Sequence, residues 1–272
     1  MTEARDEEFM RRALALAERG WGQTAPNPMV GAVVVSHGNI VGEGWHEMYG
    51  QPHAEVNALA RAGDLARGAT IYVTLEPCNH TGKTPPCASA VVAAGVARVV
   101  IATRDPGQES GGGAETLRAA GIEVAIGLLE SEARELNATF FHSFVSDRPW
   151  VTLKLALSID GAIADSERGQ AWLTNELSRA EVHHMRAGTD AIAVGATTYA
   201  TDHPQLTVRG PIQPRIRPLK VVFDPDGTLS AGRTSVLEEF DDVTFVRVAD
   251  LPAALRALRA RGIRSLLVEG GA

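Results

Sequence analysis

The sequence predicts an α/β protein built from two consecutive domains, and three observations carry that reading. Short β-branched runs alternate with segments of helical period along the chain, the pattern of a mostly parallel sheet with helices on its faces. The pattern restarts after Asp147-Arg148-Pro149, which sets domain one at residues 1–146 and domain two at 147–272. A length of 272 residues suits about two domains and buries enough surface to need no disulfide staples.

Phe9, Met10, Ala13, Leu14 and Ala17 recur at helical spacing within Asp6–Arg19, and Gly20 follows as a stop. Pro26-Asn27-Pro28 is a rigid turn. Gly31–Val35 and Asn39–Gly42 are strands joined at His37-Gly38 as a hairpin. A helix at Ala54–Ala62 precedes a buried strand at Thr70–Thr74, and Pro86 opens a helix of small residues reaching Ala94. Val99–Ile101 is a strand, Thr116–Ala120 a short helix and Val124–Ile126 a strand. A single helix over Glu130–Val145 closes the first domain. In the second, Trp150–Leu157 reads as a long strand and Glu176–Ala187 as a helix. Strands follow at Ala191–Val194, Leu219–Phe223, Val243–Val248 and Ser265–Val268, with a helix at Ala253–Arg261.

Composition excludes several classes. With 44% hydrophobic, 22% charged and 5% aromatic residues, the chain is neither disordered nor collagen-like. Its net charge of −7 divides as −6 up to Val145 (11 basic, 17 acidic) and −1 beyond it (15 basic, 16 acidic). Neither half has a basic footprint, so no nucleic-acid partner is expected. No apolar run approaches the ~18 residues of a membrane span, and Met1–Arg12 is too acidic for a signal peptide. The expected compartment is the cytoplasm, where two close cysteines point to metal or redox chemistry more than to a disulfide.

Those cysteines are the centre of the functional reading. His53-Ala54-Glu55 starts a helix, Pro77-Cys78 follows a strand, and Pro86-Cys87 opens another helix. One imidazole and two thiolates are good ligands for tetrahedral zinc, and three protein ligands leave a fourth position for water. Two thiolates also neutralise the ion, and helix N-termini favour thiolate over thiol. Glu55, two positions from His53, can reach that water without being a ligand. This is the arrangement of zinc deaminases, except that eight residues rather than two separate the cysteines. Three alternatives stay open here: a structural site with His80 as fourth ligand, a cytidine or tRNA-adenosine deaminase, and a nucleotide-binding module with structural zinc. Ligand softness also admits iron or cobalt.

Four segments carry a resemblance: Pro26-Asn-Pro-Met-Val-Gly31, Gly42-Glu-Gly-Trp-His46, His53-Ala-Glu55 and Glu76-Pro-Cys-Asn-His-Thr-Gly-Lys-Thr-Pro-Pro-Cys87. Through them the chain resembles the bifunctional riboflavin-biosynthesis deaminase–reductases, whose cysteine motif has the long spacer. The resemblance implies a zinc cytidine-deaminase-like three-layer domain followed by a dihydrofolate-reductase-like α/β domain. It implies zinc at His53, Cys78 and Cys87, with Glu55 as proton shuttle. It further implies substrate contacts from Asn27, His46, His80, Lys83 and Thr84. The residue types suit those roles, since Asn27 and His46 can hydrogen-bond a pyrimidine edge and Lys83 can meet a phosphate. Phosphorylated pyrimidines are the implied substrates, and homo-oligomers the implied assembly.

In the second half, Lys154–Gly161, Trp172-Leu-Thr174, Arg186, Gly195, Thr198 and Asp202–Arg209 are similar to the reductase part of that family. The resemblance places Ala156, Ile163, Trp172, Thr198 and Asp202 along NADPH, and Gln170, Arg186, Leu206, Arg209 and Glu269 towards the substrate. An arginine fork suits a phosphate because it can bond two oxygens. Gln170-Ala171 and His203 depart from the family's usual residues. The chain ends at Glu269-Gly-Gly-Ala272, the start of a turn of the kind that leads into a phosphate-holding helix. By the resemblance, further reductase elements lie beyond it, so the second domain is expected to be C-terminally truncated and impaired in turnover.

Overall fold

The computed structural model describes residues 3–81, 85–163, 174–229, 237–240, 242–247 and 250–271, with the backbone alone for residue 3 and residues 237–240. The chain divides into two units, Met1–Phe144 and Val145–Ala272.

The first unit runs α1 (Glu3–Ala17), β1 (Gly31–Ser36), β2 (Asn39–Trp45), α2 (Ala54–Ala62), β3 (Thr70–Leu75), α3 (Cys87–Ala94), β4 (Arg98–Thr103), α4 (Gly113–Ala119), β5 (Glu123–Ile126), α5 (Glu130–Leu136) and α6 (Ala138–His142). Its sheet has the order β2-β1-β3-β4-β5. β1 is antiparallel to both neighbours while β3, β4 and β5 are parallel, so this sheet is mixed. The β1–β2 turn places His37 at φ 50° and Gly38 at φ 78°, the two positive values of a tight hairpin turn that matches strand twist.

Successive strand residues face opposite sides, and that alternation builds three layers. Val33, Val35, Tyr72, Val100 and Ala102 pack against Phe9, Met10, Ala13 and Leu16 of α1 and Ala133 of α5. Ala32, Val34, Ile71, Val73, Val99 and Ile101 pack on the other face against α2, α3 and α4. Alanines dominate that face of α2, which lets the helix lie close to the sheet.

The second unit runs β6 (Trp150–Lys154), α7 (Glu176–Ala187), β7 (Ala191–Gly195), α8 (Ala196–Asp202), β8 (Leu219–Phe223), β9 (Leu237–Phe240), β10 (Val243–Val246), α9 (Leu251–Ala260) and β11 (Ser265–Glu269). Its sheet order is β6-β11-β7-β8-β10-β9, parallel except for the β9–β10 pair. Ala191, Ala193, Val221, Val246 and Leu266 meet Ala254 and Leu258 of α9. Ile192, Val194, Val222 and Phe245 form the core of the opposite face with Leu206.

Several expectations need correction. The helix expected over Glu130–Val145 is two helices broken at Asn137, whose backbone leaves the helical region at φ −112°, ψ 29°. Asparagine competes for backbone groups with its own side chain, and here that side chain bonds Met29 instead of solvent. The strand expected to reach Leu157 ends at Lys154, because its partner β11 ends opposite it and the Gly270 N–H closes the ladder on the Lys154 carbonyl. α8 was hidden by its β-branched threonines, which weaken a helical reading, and Tyr199 anchors it on Phe245 at a ring distance of 6.0 Å.

Candidate metal centre and active site

The site forms where α2, the end of β3 and the start of α3 converge. His53 stands at the N-cap of α2 with extended backbone (φ −77°, ψ 168°) and makes no side-chain cap bond. α2 reaches this place because β2 carries glycines beneath it. A Cβ on Gly44 would lie 2.3 Å from the Ala54 carbonyl oxygen, and one on Gly42 2.3 Å from that of Ala58. On the other side, the N–H of Cys87 donates to Cys78 Sγ (3.3 Å) and that of Ala88 to the Cys78 carbonyl (3.1 Å), so the start of α3 fastens the Pro77-Cys78 loop.

His53 Nδ1 lies 3.2 Å from Cys87 Sγ and 3.6 Å from Cys78 Sγ. Among the described residues these three form a group whose ligand atoms all lie within 4.8 Å of one another. Tetrahedral zinc bonds of about 2.0–2.3 Å set ligand atoms roughly 3.5 Å apart, so donor set and spacing both fit. The hydrogen bond from Cys87, and after it that from His53, hold the Cys78 thiol well below its ordinary value against its burial, while Cys78 and burial push Cys87 up. Holding a divalent cation there would take both sulfurs as thiolates.

Glu55, on the first turn of α2, is 3% exposed. Burial pushes its carboxyl up to about 7, against the pull of the neighbouring His53. His46 is also buried, which lowers its pKa and favours the neutral ring. The Pro52 carbonyl can only accept, so His46 Nδ1 donates to it (3.3 Å) and leaves Nε2 as an acceptor for Asn27 Nδ2 (3.4 Å). The His46 ring stands edge-on to His53 at 5.1 Å.

These groups surround a cavity of about 180 Å³ lined by Asn27, His46, His53, Glu55, Cys78 and His80. Lys83 and Thr84 lie outside the described residues. Glu76, Asp105, Ser110, Phe140 and Phe144 also line the cavity, and sequence reasoning missed them. Glu76 accepts from the N–H groups of Ala114 (2.9 Å) and Asp105 (3.2 Å), tying the cysteine loop to the segment after β4. Asp105 follows the carboxyl end of a parallel strand, where ligand sites of α/β sheets gather, and that was a readable signal. The two phenylalanines gave none, because they sat in what read as an uninterrupted helix.

In the second unit, the carboxyl ends of β6, β11 and β7 are adjacent. Glu269 closes β11 there and pairs with Arg186 through two bonds of 2.6 and 2.8 Å, with both side chains 12% exposed. Arg186 Nη1 also donates to the Thr207 carbonyl at 2.9 Å. Thr198 faces this edge, since a Cβ on Gly271 would meet its hydroxyl at 2.2 Å. Ala156 lies just past β6, Ile163 is exposed, and Asp202 is exposed at the end of α8. Leu206, at φ 49°, spends its side chain on the core and leaves only its backbone for a ligand. Arg209 is exposed, and its N–H donates to His183 Nδ1 at 3.1 Å. Gln170 and Trp172 lie outside the described residues.

Residues 3–103 match the family model of the cytidine and deoxycytidylate deaminase zinc-binding region, and residues 149–272 match that of the RibD C-terminal domain. The fold and centre therefore define a zinc-dependent deaminase joined to a reductase domain. Riboflavin biosynthesis protein RibD of Aquifex aeolicus is 44% identical over 97% of this chain and 74% of its own length. The RibD of Bacillus amyloliquefaciens is 41% identical over 98% of this chain and 79% of its own. A solved structure from Thermotoga maritima, a diaminohydroxyphosphoribosylaminopyrimidine deaminase/5-amino-6-(5-phosphoribosylamino)uracil reductase, superposes with a TM-score of 0.87 at 42% identity. It covers 99% of this chain and 82% of that one. The chain belongs to the RibD family of riboflavin-biosynthesis enzymes. It is an enzyme with deaminase and reductase domains, and zinc and NADPH are their cofactors.

Proposed function

We propose that the first unit hydrolytically deaminates 2,5-diamino-6-ribosylamino-4(3H)-pyrimidinone 5′-phosphate. The second unit then uses NADPH to reduce the ribosyl side chain of 5-amino-6-(5-phosphoribosylamino)uracil to ribityl. The observation that supports this most is a buried Glu55 sharing one cavity with His53 and Cys78 and accompanied by Cys87.

His53, Cys78 and Cys87 hold the zinc, which when bound supplies a Lewis acid that makes water nucleophilic near neutral pH. Glu55 does the proton work: it carries one proton of the attacking water to the ring nitrogen as the oxygen adds to the ring carbon, then the second to the amino nitrogen, which leaves as ammonia as the C–N bond breaks and the carbonyl forms. The water oxygen stays on the ring carbon, so atoms balance. A carboxyl in the same cavity as the metal-holding His53 and Cys78 is placed for both transfers. Asn27 and His46 orient the ring edge, with the His46 tautomer fixed by the Pro52 carbonyl. His80, Lys83 and Thr84 are the proposed contacts to the remainder of the substrate.

In the second unit, Ala156, Ile163, Trp172, Thr198 and Asp202 are proposed to lie along NADPH, with Gln170, Arg186, Leu206, Arg209 and Glu269 towards the sugar phosphate. No helix among the described residues is long and apolar enough to cross a membrane. A cytoplasmic homo-oligomer acting on free metabolites, with no nucleic-acid partner, completes the reading, and light scattering checks the assembly.

Glu55→Gln is the deciding variant. It is expected to keep zinc by elemental analysis while ammonia release falls by about 10²–10⁴. A zinc-loaded variant that deaminates at the normal rate overturns the assignment. Following ammonia release and NADPH oxidation separately tests the two halves, and equal ammonia release from cytidine overturns the substrate.

A further inference from the structure

We propose that Asn137 is a positioning residue for the deaminase pocket: one buried amide fixes both the polar wall bearing Asn27 and His46 and the apolar wall bearing Phe140 and Phe144. The inference rests on the proposed function of that pocket.

Asn137 is 5% exposed and stands at the break between α5 and α6. Its Nδ2 donates to the Met29 carbonyl and its Oδ1 accepts from the Met29 N–H, each at 2.8 Å. One side chain thus satisfies both backbone groups of a residue 108 positions away. Asn27 is two residues before Met29, across Pro28, whose ring fixes φ and leaves the link little slack. On the other side, the Val30 carbonyl accepts the His46 N–H at 2.8 Å. Displacing Met29 therefore displaces Asn27 and His46, the two groups that face each other at 3.4 Å.

The same residue sets the second wall. The Asn137 carbonyl accepts the Phe141 N–H at 3.1 Å and so starts α6. That break aims Phe140 and Phe144, with ring centroids 5.1 Å apart, at the cavity. A helix running straight through this position would set a different direction for both rings. Asn137 itself does not line the cavity, so it acts through the residues it holds.

The test compares Asn137→Ala with Leu16→Ala, a core truncation on the opposite face of the sheet. The alanine at 137 leaves the Met29 N–H and carbonyl buried without partners. Asn137→Ala is expected to raise the KM for the pyrimidine at least about tenfold with kcat within about threefold, the mark of lost ground-state and transition-state binding alike. Zinc content stays at the wild-type level, and Leu16→Ala leaves KM unchanged. The KM effects of Asn137→Ala and Asn27→Ala are expected not to add, because both act through one group. In zinc-loaded, substrate-free protein with ¹⁵N-labelled histidine, the His46 ring signals are expected to shift in Asn137→Ala and not in Leu16→Ala.

Asn137→Ala behaving like Leu16→Ala in both KM and His46 signals overturns the proposal, as does full additivity with Asn27→Ala. If the alanine variant fails to fold, Asn137→Ser, which keeps a hydroxyl towards Met29, carries the same comparison with a smaller shift expected. A wild-type enzyme that releases no ammonia overturns the proposed function instead, and the His46 signals then decide the positioning role alone.

Discussion

Asp6 shows how single residues set both stability and its pH dependence in the first unit. It lies at 8% exposure on the first turn of α1, where Arg98 donates to both its oxygens (2.9 and 3.2 Å) and the Tyr72 hydroxyl donates to one of them. Burial raises its pKa, but the bonds from Arg98 and Tyr72 outweigh this and hold the carboxyl below its ordinary value. A carboxyl depressed in the folded state stabilises above its unfolded pKa of about 4, and that contribution is lost as pH falls through the folded value. Asp6→Asn is therefore expected to lower stability by about 1–3 kcal/mol at pH 7. The difference from wild type should shrink below pH about 4, as urea titrations across pH would read. Local spacing made His53, Glu55, Cys78 and Cys87 legible, because His-x-Glu and two Pro-Cys pairs fall where elements begin and end. Asp6, Asn137 and Glu76 were not legible, because their roles come from partners far along the chain: 92 positions to Arg98, 108 to Met29 and 38 to Ala114.

Among elements, α2 matters most, since it carries His53 and Glu55 and is seated on Gly42 and Gly44. Gly44→Ala puts a methyl 2.3 Å from the Ala54 carbonyl oxygen and 2.4 Å from the Ala58 nitrogen, against backbone that cannot give way. The helix must lift, and overpacking of this kind costs about 1–3 kcal/mol. Because the lift moves His53 relative to Cys78 and Cys87, zinc affinity is expected to fall about tenfold or more in a chelator competition. Leu258→Ala in α9 should leave that affinity unchanged. Element existence was readable wherever period and flanking glycine agreed, as for α2, whose limits match the expected helix at both ends. It failed where tertiary contacts overrode propensity. The break at Asn137 is imposed by Met29, and the early end of β6 by the length of its partner β11.

At the scale of the whole molecule, each unit has its own apolar clusters among the described residues. The clusters around β1, β3 and β4 contain residues of the first unit alone, and those around β7, β8 and β10 contain residues of the second. Metal binding stabilises only the folded form that holds the metal. Removing zinc with a chelator is therefore expected to speed amide exchange in β1, β3 and α2 while exchange in α9 and β11 stays constant, measured by hydrogen–deuterium exchange. Equal acceleration in both units would show that the centre supports the entire chain. The two-part architecture was readable from the restart after Pro149. The strand order of either sheet was not, because β3 follows the β1–β2 hairpin yet pairs beside β1, and the last strand, β11, inserts between β6 and β7.

The coupling of Arg186 to Glu269 has a consequence for any anion arriving at that edge of the second sheet. Among the described residues, three of the five guanidinium N–H groups are already committed, two to the carboxylate and one to the Thr207 carbonyl. A phosphate would find two hydrogens to spare and a cation whose charge is already balanced at close range. It would have to crowd the resident carboxylate or displace it, so recognition there would take the form of an exchange of counter-ions rather than the capture of a bare positive charge.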